Sequence, residues 1–161
     1  MKIIYLIFFI PLFSFAKENT CSPDNSDCEN SVKGKLEIRY DEHTDKNHSF
    51  IYLNNRPFVK VETDSMMFYN GIANIPDMDK KSYRVKKIMV TYRDNDPCFC
   101  DKYFIVDLTG IKPTFSNAIE GPSDLTWISW GKKNSVISFN GALFQYENGI
   151  IKPMDEKNKA K

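Results

Sequence analysis

The four cysteines are the residues of this sequence with the most evident chemistry. Cys21 and Cys28 lie near the N-terminus, whereas Cys98 and Cys100 lie in the middle of the chain. An even number of cysteines in an exported chain predicts two disulfides. Because a single residue separates Cys98 from Cys100, a bond between them would close a strained ring. We therefore expect Cys21 and Cys28 each to bond to one of the two central cysteines.

Disulfides of this kind would stabilise the fold by restricting the unfolded chain. Each would close a loop of about 70 residues, which contributes about 4 kcal/mol in the chain-entropy model. They would tie the polar segment 17–34 to the rest of the protein. The alternative is a zinc ion held by four thiolates, but the Cys-x6-Cys and Cys-x-Cys spacings lack the Cys-x2-Cys pairs of structural zinc sites.

The two histidines are the other candidates for metal or acid–base chemistry. His43 and His48 lie in a segment rich in Asp, Asn and Thr, where carboxylates and imidazoles can gather a metal. Their spacing does not place both rings on one strand face, and a solvated hairpin tip accounts for every residue. The motifs of serine hydrolases, zinc proteases and phosphate-binding loops do not occur. The sequence predicts a protein that is not an enzyme and that uses no metal or cofactor; an enzyme with a histidine in a cleft is the least favoured alternative.

Residues suited to partner binding occur in two predicted loops. The first loop would be braced by the central cysteines, and a braced loop loses little entropy when it docks. The second is a lysine-rich turn that follows a tryptophan. The residues that we assign to partner binding are Asp94, Asn95, Asp96, Trp130, Lys132 and Lys133.

The two tryptophans lie on opposite faces of one predicted strand, because side chains alternate along a strand. We expect Trp127 in the core and Trp130 near the surface. An alternative function, binding of a carbohydrate or cell-wall polymer, would use Trp130, Tyr83 and Tyr92 as stacking platforms.

Short strands are predicted to position all of these residues. Apolar residues recur with period two, as in the run from Leu36 to Tyr40, and helix signals are absent. Asn140-Gly141 and Asn148-Gly149 are strong hairpin signals, since both turn residues tolerate positive φ. The sequence therefore predicts an all-β fold: a single antiparallel β domain over residues 35–152, as a sandwich, open barrel or curved sheet, with a C-terminal meander and a flexible charged tail at 153–161.

The N-terminus indicates the compartment. Residues 1–16 combine Lys2, an apolar run and Ser14-Phe15-Ala16, the pattern of a cleaved signal peptide. The apolar run is shorter than the roughly 20 residues that cross a bilayer, so we expect no membrane span after cleavage. Removal of the signal peptide, which contains Lys2, reduces the 22 basic residues to 21, equal to the 21 acidic residues. The mature chain therefore has no net charge that would favour nucleic acid. The sequence predicts one domain in the periplasm or outside the cell.

A signal peptide, one β domain, disulfides and no catalytic motif make the chain similar in type to small exported inhibitor and immunity proteins. The expected function is a protein-binding module that blocks a secreted or cell-wall-degrading enzyme. The expected partner is another protein, a toxin or hydrolase, with a glycan as the alternative.

Overall fold

The computed structural model describes residues 20–22, 24–41, 48–63, 65–69, 76–93, 100–121 and 125–154. Over these ranges the chain is all-β, as predicted, and contains no helix. The signal peptide, Asp94 to Asp96, Cys98, His43 and most of the charged tail lie outside the described residues. The strands are β1 (Cys28–Ser31), β2 (Gly34–Asp41), β3 (His48–Leu53), β4 (Arg56–Val61), β5 (Ser65–Phe68), β6 (Asp77–Met78), β7 (Val85–Arg93), β8 (Asp101–Asp107), β9 (Thr114–Phe115), β10 (Ile119–Glu120), β11 (Leu125–Ser129), β12 (Asn134–Phe139), β13 (Ala142–Glu147) and β14 (Ile150–Pro153).

The strands form two sheets. Ten strands make a large sheet with the order β10-β8-β7-β1-β2-β3-β4, to which β5 and β6 add through β7 and β9 adds through β8. The large sheet is mixed rather than purely antiparallel, since β1 pairs with β7 in parallel at Ser31 and Val85. The remaining four strands form the predicted C-terminal meander, β11-β12-β13-β14.

The large sheet curls around a first core of aliphatic and aromatic side chains. Strands from both of its ends contribute, including Leu36 of β2, Val59 of β4 and Val106 of β8. Across the gap between the sheet's ends, the rings of Phe58 and Phe115 meet edge to face at 5.8 Å. The sheet is therefore almost closed, the open-barrel alternative among the predicted architectures.

Strands β7 and β8 are buried on both faces because the small sheet packs on the outside of the large one. Val90 and Phe104 point into the first core, whereas Met89 and Ile105 point into a second core under the meander. This explains why residues 103–106 form a continuous apolar run, as is typical of strands covered on both sides. Tyr146 joins the sheets through its hydroxyl, which donates a 2.8 Å hydrogen bond to a carboxylate oxygen of Asp107 on β8.

The predicted disulfide pairing is wrong. Cys21 is bonded to Cys28, with their Cα atoms 5.5 Å apart. The intervening loop folds back locally, because Asn25 N–H donates to the Ser22 carbonyl and Cys28 N–H donates to the Asn25 carbonyl. The bond removes two of the thiolates that a four-cysteine zinc site would need. Cys100 is also a half-cystine, and its partner lies outside the described residues.

Candidate functional site

The predicted partner-binding residues do not share one location. The Asp94–Asp96 loop lies outside the described residues, so the structure neither supports nor contradicts it. Lys132 and Lys133 are exposed at the β11–β12 turn, as expected. Trp130 is half-buried and packs against the second core, contrary to the expected surface position.

Trp127 takes the place expected of Trp130. Its side chain is 41% exposed, so its assignment to the core is wrong. A bulge between Leu125 and Trp127 is the cause, since their partners on β12, Phe139 and Ser138, are adjacent residues. The extra residue reverses the alternation, turning Trp127 outward and Ile128 inward.

The uncovered side of the meander, here called the outer face, is organised around Trp127. In one row across the sheet, Trp127 pairs with Ser138, which pairs with Leu143. Ser138 is fully buried although its side chain points outward, so its two larger neighbours shield it from water. On the same face, Ile150 of β14 is 58% exposed. The outer face thus presents apolar side chains to solvent.

Positive charge surrounds this apolar surface. Lys152 lies on the outer face beside Gln145, and Lys132 and Lys133 occupy the turn at the end of the same sheet. Glu147 is the acidic side chain of the outer face, and it pairs with Ile150 on β14. Among the described residues of the meander and its turns, three lysines thus stand against one carboxylate, which gives this surface an excess of positive charge.

A buried lysine holds the lysine-rich turn in place. Lys87 of β7 is 1% exposed, and its Nζ donates a 2.5 Å hydrogen bond to the carbonyl of Gly131. A Cβ at Gly131 would lie 1.9 Å from the carbonyl oxygen of Asn134, so the turn closes too tightly for any other residue. The hydroxyl of Ser135 accepts a hydrogen bond from Gly131 N–H. These contacts hold the turn that carries Lys132 and Lys133 at a defined position relative to the large sheet.

The strands that flank the undescribed residues 94–99 border a groove of about 270 Å³. Arg93, at the end of β7, forms a 2.8 Å ion pair with Asp101, at the start of β8. The exposed Met67 and the ring of Tyr103 also line the groove. This is the described region nearest to the predicted Asp94–Asp96 loop.

A second groove lies beside the Cys21–Cys28 disulfide and holds about 300 Å³. The exposed Tyr83, in the β6–β7 turn, lines it together with Asn25 and Asn30. Tyr83 has a φ of 54°, a left-handed conformation that costs a bulky residue about 1–2 kcal/mol. The turn retains it because Tyr83 N–H donates to the carbonyl of Asp79.

The three aromatic residues proposed as one carbohydrate platform lie apart. Tyr92 packs on the first core, with its ring 6.0 Å from that of Phe104. Trp130 packs on the second core, whereas Tyr83 is 77% exposed. Only Tyr83 of the three presents an open ring face.

Four titratable groups among the described residues show clear pKa shifts, and each has a structural cause. Burial raises the pKa of the Tyr40 hydroxyl, and the charge of Asp27 adds to the rise. Burial raises the pKa of the Tyr146 hydroxyl, and its bond to Asp107 adds to the rise. Burial alone would raise the pKa of Glu37, but the cations of Arg39 and Lys35 hold it below its ordinary value. Hydrogen bonds from Ser82 lower the pKa of Asp79. These groups stabilise turns, strands and the sheet–sheet contact.

Within the described ranges, no three His, Cys, Asp or Glu side chains lie close enough to hold a metal ion. Nor does this part of the chain contain a helix long and apolar enough to cross a membrane. Protein-family models, curated proteins and solved structures gave no match to this chain. The geometry of the chain itself must therefore support any proposal about function.

Proposed function

We propose that this chain is an exported protein-binding module of the inhibitor or immunity type, which blocks a secreted or cell-wall-degrading enzyme of the periplasm or extracellular space. It has no catalytic role of its own. The observation that carries the proposal is the outer face, where an exposed tryptophan sits on a rigid sheet.

Trp127 has the properties of an interface anchor. Tryptophan is among the residues that contribute most to protein interfaces, because its large ring loses little conformational entropy when it becomes buried. The neighbouring Leu143 extends the apolar centre, and Lys132, Lys133 and Lys152 provide a charged border. An apolar centre with a polar rim is the usual arrangement of protein–protein interfaces.

The fold of the meander suits binding to a partner without rearrangement. Two of the three meander turns contain only two residues, and the meander packs its inner side on β7 and β8 through the second core. A surface already held in its bound conformation pays little entropy on association. The compartment follows from the signal peptide pattern and agrees with the Cys21–Cys28 disulfide, since disulfides persist in oxidising spaces.

Affinity capture from the exported fraction tests this function. The immobilised mature protein should retain a secreted hydrolase or toxin with an acidic surface, and raised salt should weaken its retention. An excess of the soluble protein should then abolish the activity of the purified partner. Capture of no protein, or a partner that keeps full activity when saturated, would contradict the proposal.

A further inference from the structure

We propose that the groove beside the Cys21–Cys28 disulfide is a second binding site, which takes a neutral oligosaccharide. The groove lies between the N-terminal loop and the β6–β7 turn of the large sheet, whereas Trp127 belongs to the small sheet. The proposal goes beyond the protein-binding function and does not depend on it.

Tyr83 supplies the stacking surface. Its ring is 77% exposed, so packing in the core does not explain its presence. Its left-handed backbone, with φ at 54°, is a conformation that glycine or asparagine adopts more easily. A strained residue with a solvent-facing aromatic ring is a reason to look for a binding role. The C–H groups on one face of a pyranose ring match the apolar face of such a ring.

The N-terminal wall of the groove supplies polar groups suited to sugar hydroxyls. The side-chain oxygen of Asn30 accepts a 3.0 Å hydrogen bond from Cys21 N–H, and that of Asn25 accepts one from Asp27 N–H. With each oxygen engaged, each amide NH₂ group is left to donate elsewhere. The hydroxyls of Ser22 and Ser26 line the same groove and can both donate and accept.

The wall is also rigid. The disulfide closes the loop that carries Asn25, and Asn30 lies within β1, paired with Lys35 of β2. The volume of about 300 Å³ is at the small end of ligand sites. Because the lining offers amides and hydroxyls together with the carboxylate of Glu29, the groove suits one or two units of an uncharged oligosaccharide rather than an anion.

Nuclear magnetic resonance titration of the full mature chain with cellotriose, maltotriose and triacetylchitotriose tests this site. At millimolar concentrations at least one of the three should shift the Tyr83 amide and the side-chain amides of Asn25 and Asn30. Tyr83→Asn should weaken binding by about tenfold or more, because the stacking ring is gone. The same variant should unfold at a higher temperature, since asparagine tolerates the left-handed backbone.

Two variants separate the possible outcomes. Tyr83→Phe keeps the ring and should bind as the wild type does. Trp127→Ala should leave sugar binding unchanged, so that failure of the two proposed functions can be distinguished. The proposal is overturned if none of the three sugars shifts these signals, if Tyr83→Asn binds as tightly as wild type, or if a sulfated oligosaccharide binds better than all three.

Discussion

Trp127 and Trp130 exchange their expected places because of one extra residue in β11. The sequence correctly places them on opposite faces, but parity alone does not say which face is buried. The bulge after Leu125 determines which tryptophan faces the core. In the sequence, the bulge is indicated only by the irregular spacing of the inward-facing Leu125, Ile128 and Trp130. A bulge is set by pairing with the neighbouring strand, so it cannot be read from local alternation.

Among single residues, Glu37 allows a test of how much its ion pairs stabilise the fold. Its carboxylate contacts Arg39 at 2.5 Å and Lys35 at 3.4 Å, and its pKa is lowered in the folded protein. The stabilisation is therefore fully present above the ordinary pKa of 4.5 and is lost as the pH falls through the lower folded-state value. Because the pair is partly exposed to solvent, Glu37→Gln should cost only about 0.5 kcal/mol near neutral pH.

Urea unfolding at about pH 7 and about pH 2 checks this prediction. The destabilisation should disappear in acid, where the wild-type carboxyl is protonated. Glu120→Gln is the matched control, since its more exposed carboxylate lies 3.8 Å from Lys102. An equal loss of stability at both pH values would show that the charge of Glu37 is not the cause.

At the scale of elements, the turns and long strands are predictable and the two-residue strands are not. Asn140-Gly141 and Asn148-Gly149 form the expected hairpins, with positive φ at all four residues. Strands β6, β9 and β10 pair over two residues each, which is too short for any periodicity to show. The double burial of β7 and β8 also depends on the position of the second sheet, which no local pattern specifies.

Lys87 is the side chain that connects two of these elements. Lys87→Met removes the hydrogen bond to the Gly131 carbonyl and leaves that acceptor without its donor. We expect a loss of about 1–2 kcal/mol in the free energy of unfolding and faster amide exchange in the turn that carries Lys132 and Lys133. Lys86→Met is the control, because Lys86 is more exposed and pairs with Asp77 at 3.2 Å. Equal effects of the two substitutions, or an unchanged turn in Lys87→Met, would contradict the anchoring role.

For the whole molecule, the sequence predicts the class of fold but neither the near-closure of the large sheet nor the disulfide pairing. The near-closed sheet, the parallel pairing of β1 with β7 and the docking of the meander all depend on contacts distant in sequence. The disulfide prediction is wrong because ring strain and loop entropy do not show that the chain turns back locally at Asn25 and brings Cys28 to Cys21. Entropy favours long loops, but the folded backbone decides which cysteines meet.

The Cys21–Cys28 bond leads to a prediction about stability. It closes a loop with a sequence separation of 7. Cys21→Ser with Cys28→Ser should lower the free energy of unfolding by about 2–3 kcal/mol, less than a bond across the whole chain would contribute. Chemical unfolding measures this, and non-reduced peptide mapping checks the pairing directly. A peptide that joins Cys21 or Cys28 to a central cysteine would contradict the Cys21–Cys28 pairing.

Binding of a protein partner through Trp127 on the outer face can be measured by calorimetric titration of the captured partner. Trp127→Ala should weaken the affinity by about tenfold or more, because an interface anchor at the centre of a patch is lost. Ile111→Ala is the matched control, since Ile111 is 97% exposed but lies outside the meander. We expect wild-type affinity for Ile111→Ala and a large loss for Trp127→Ala; equal affinities of the two variants would show that Trp127 does not anchor the partner.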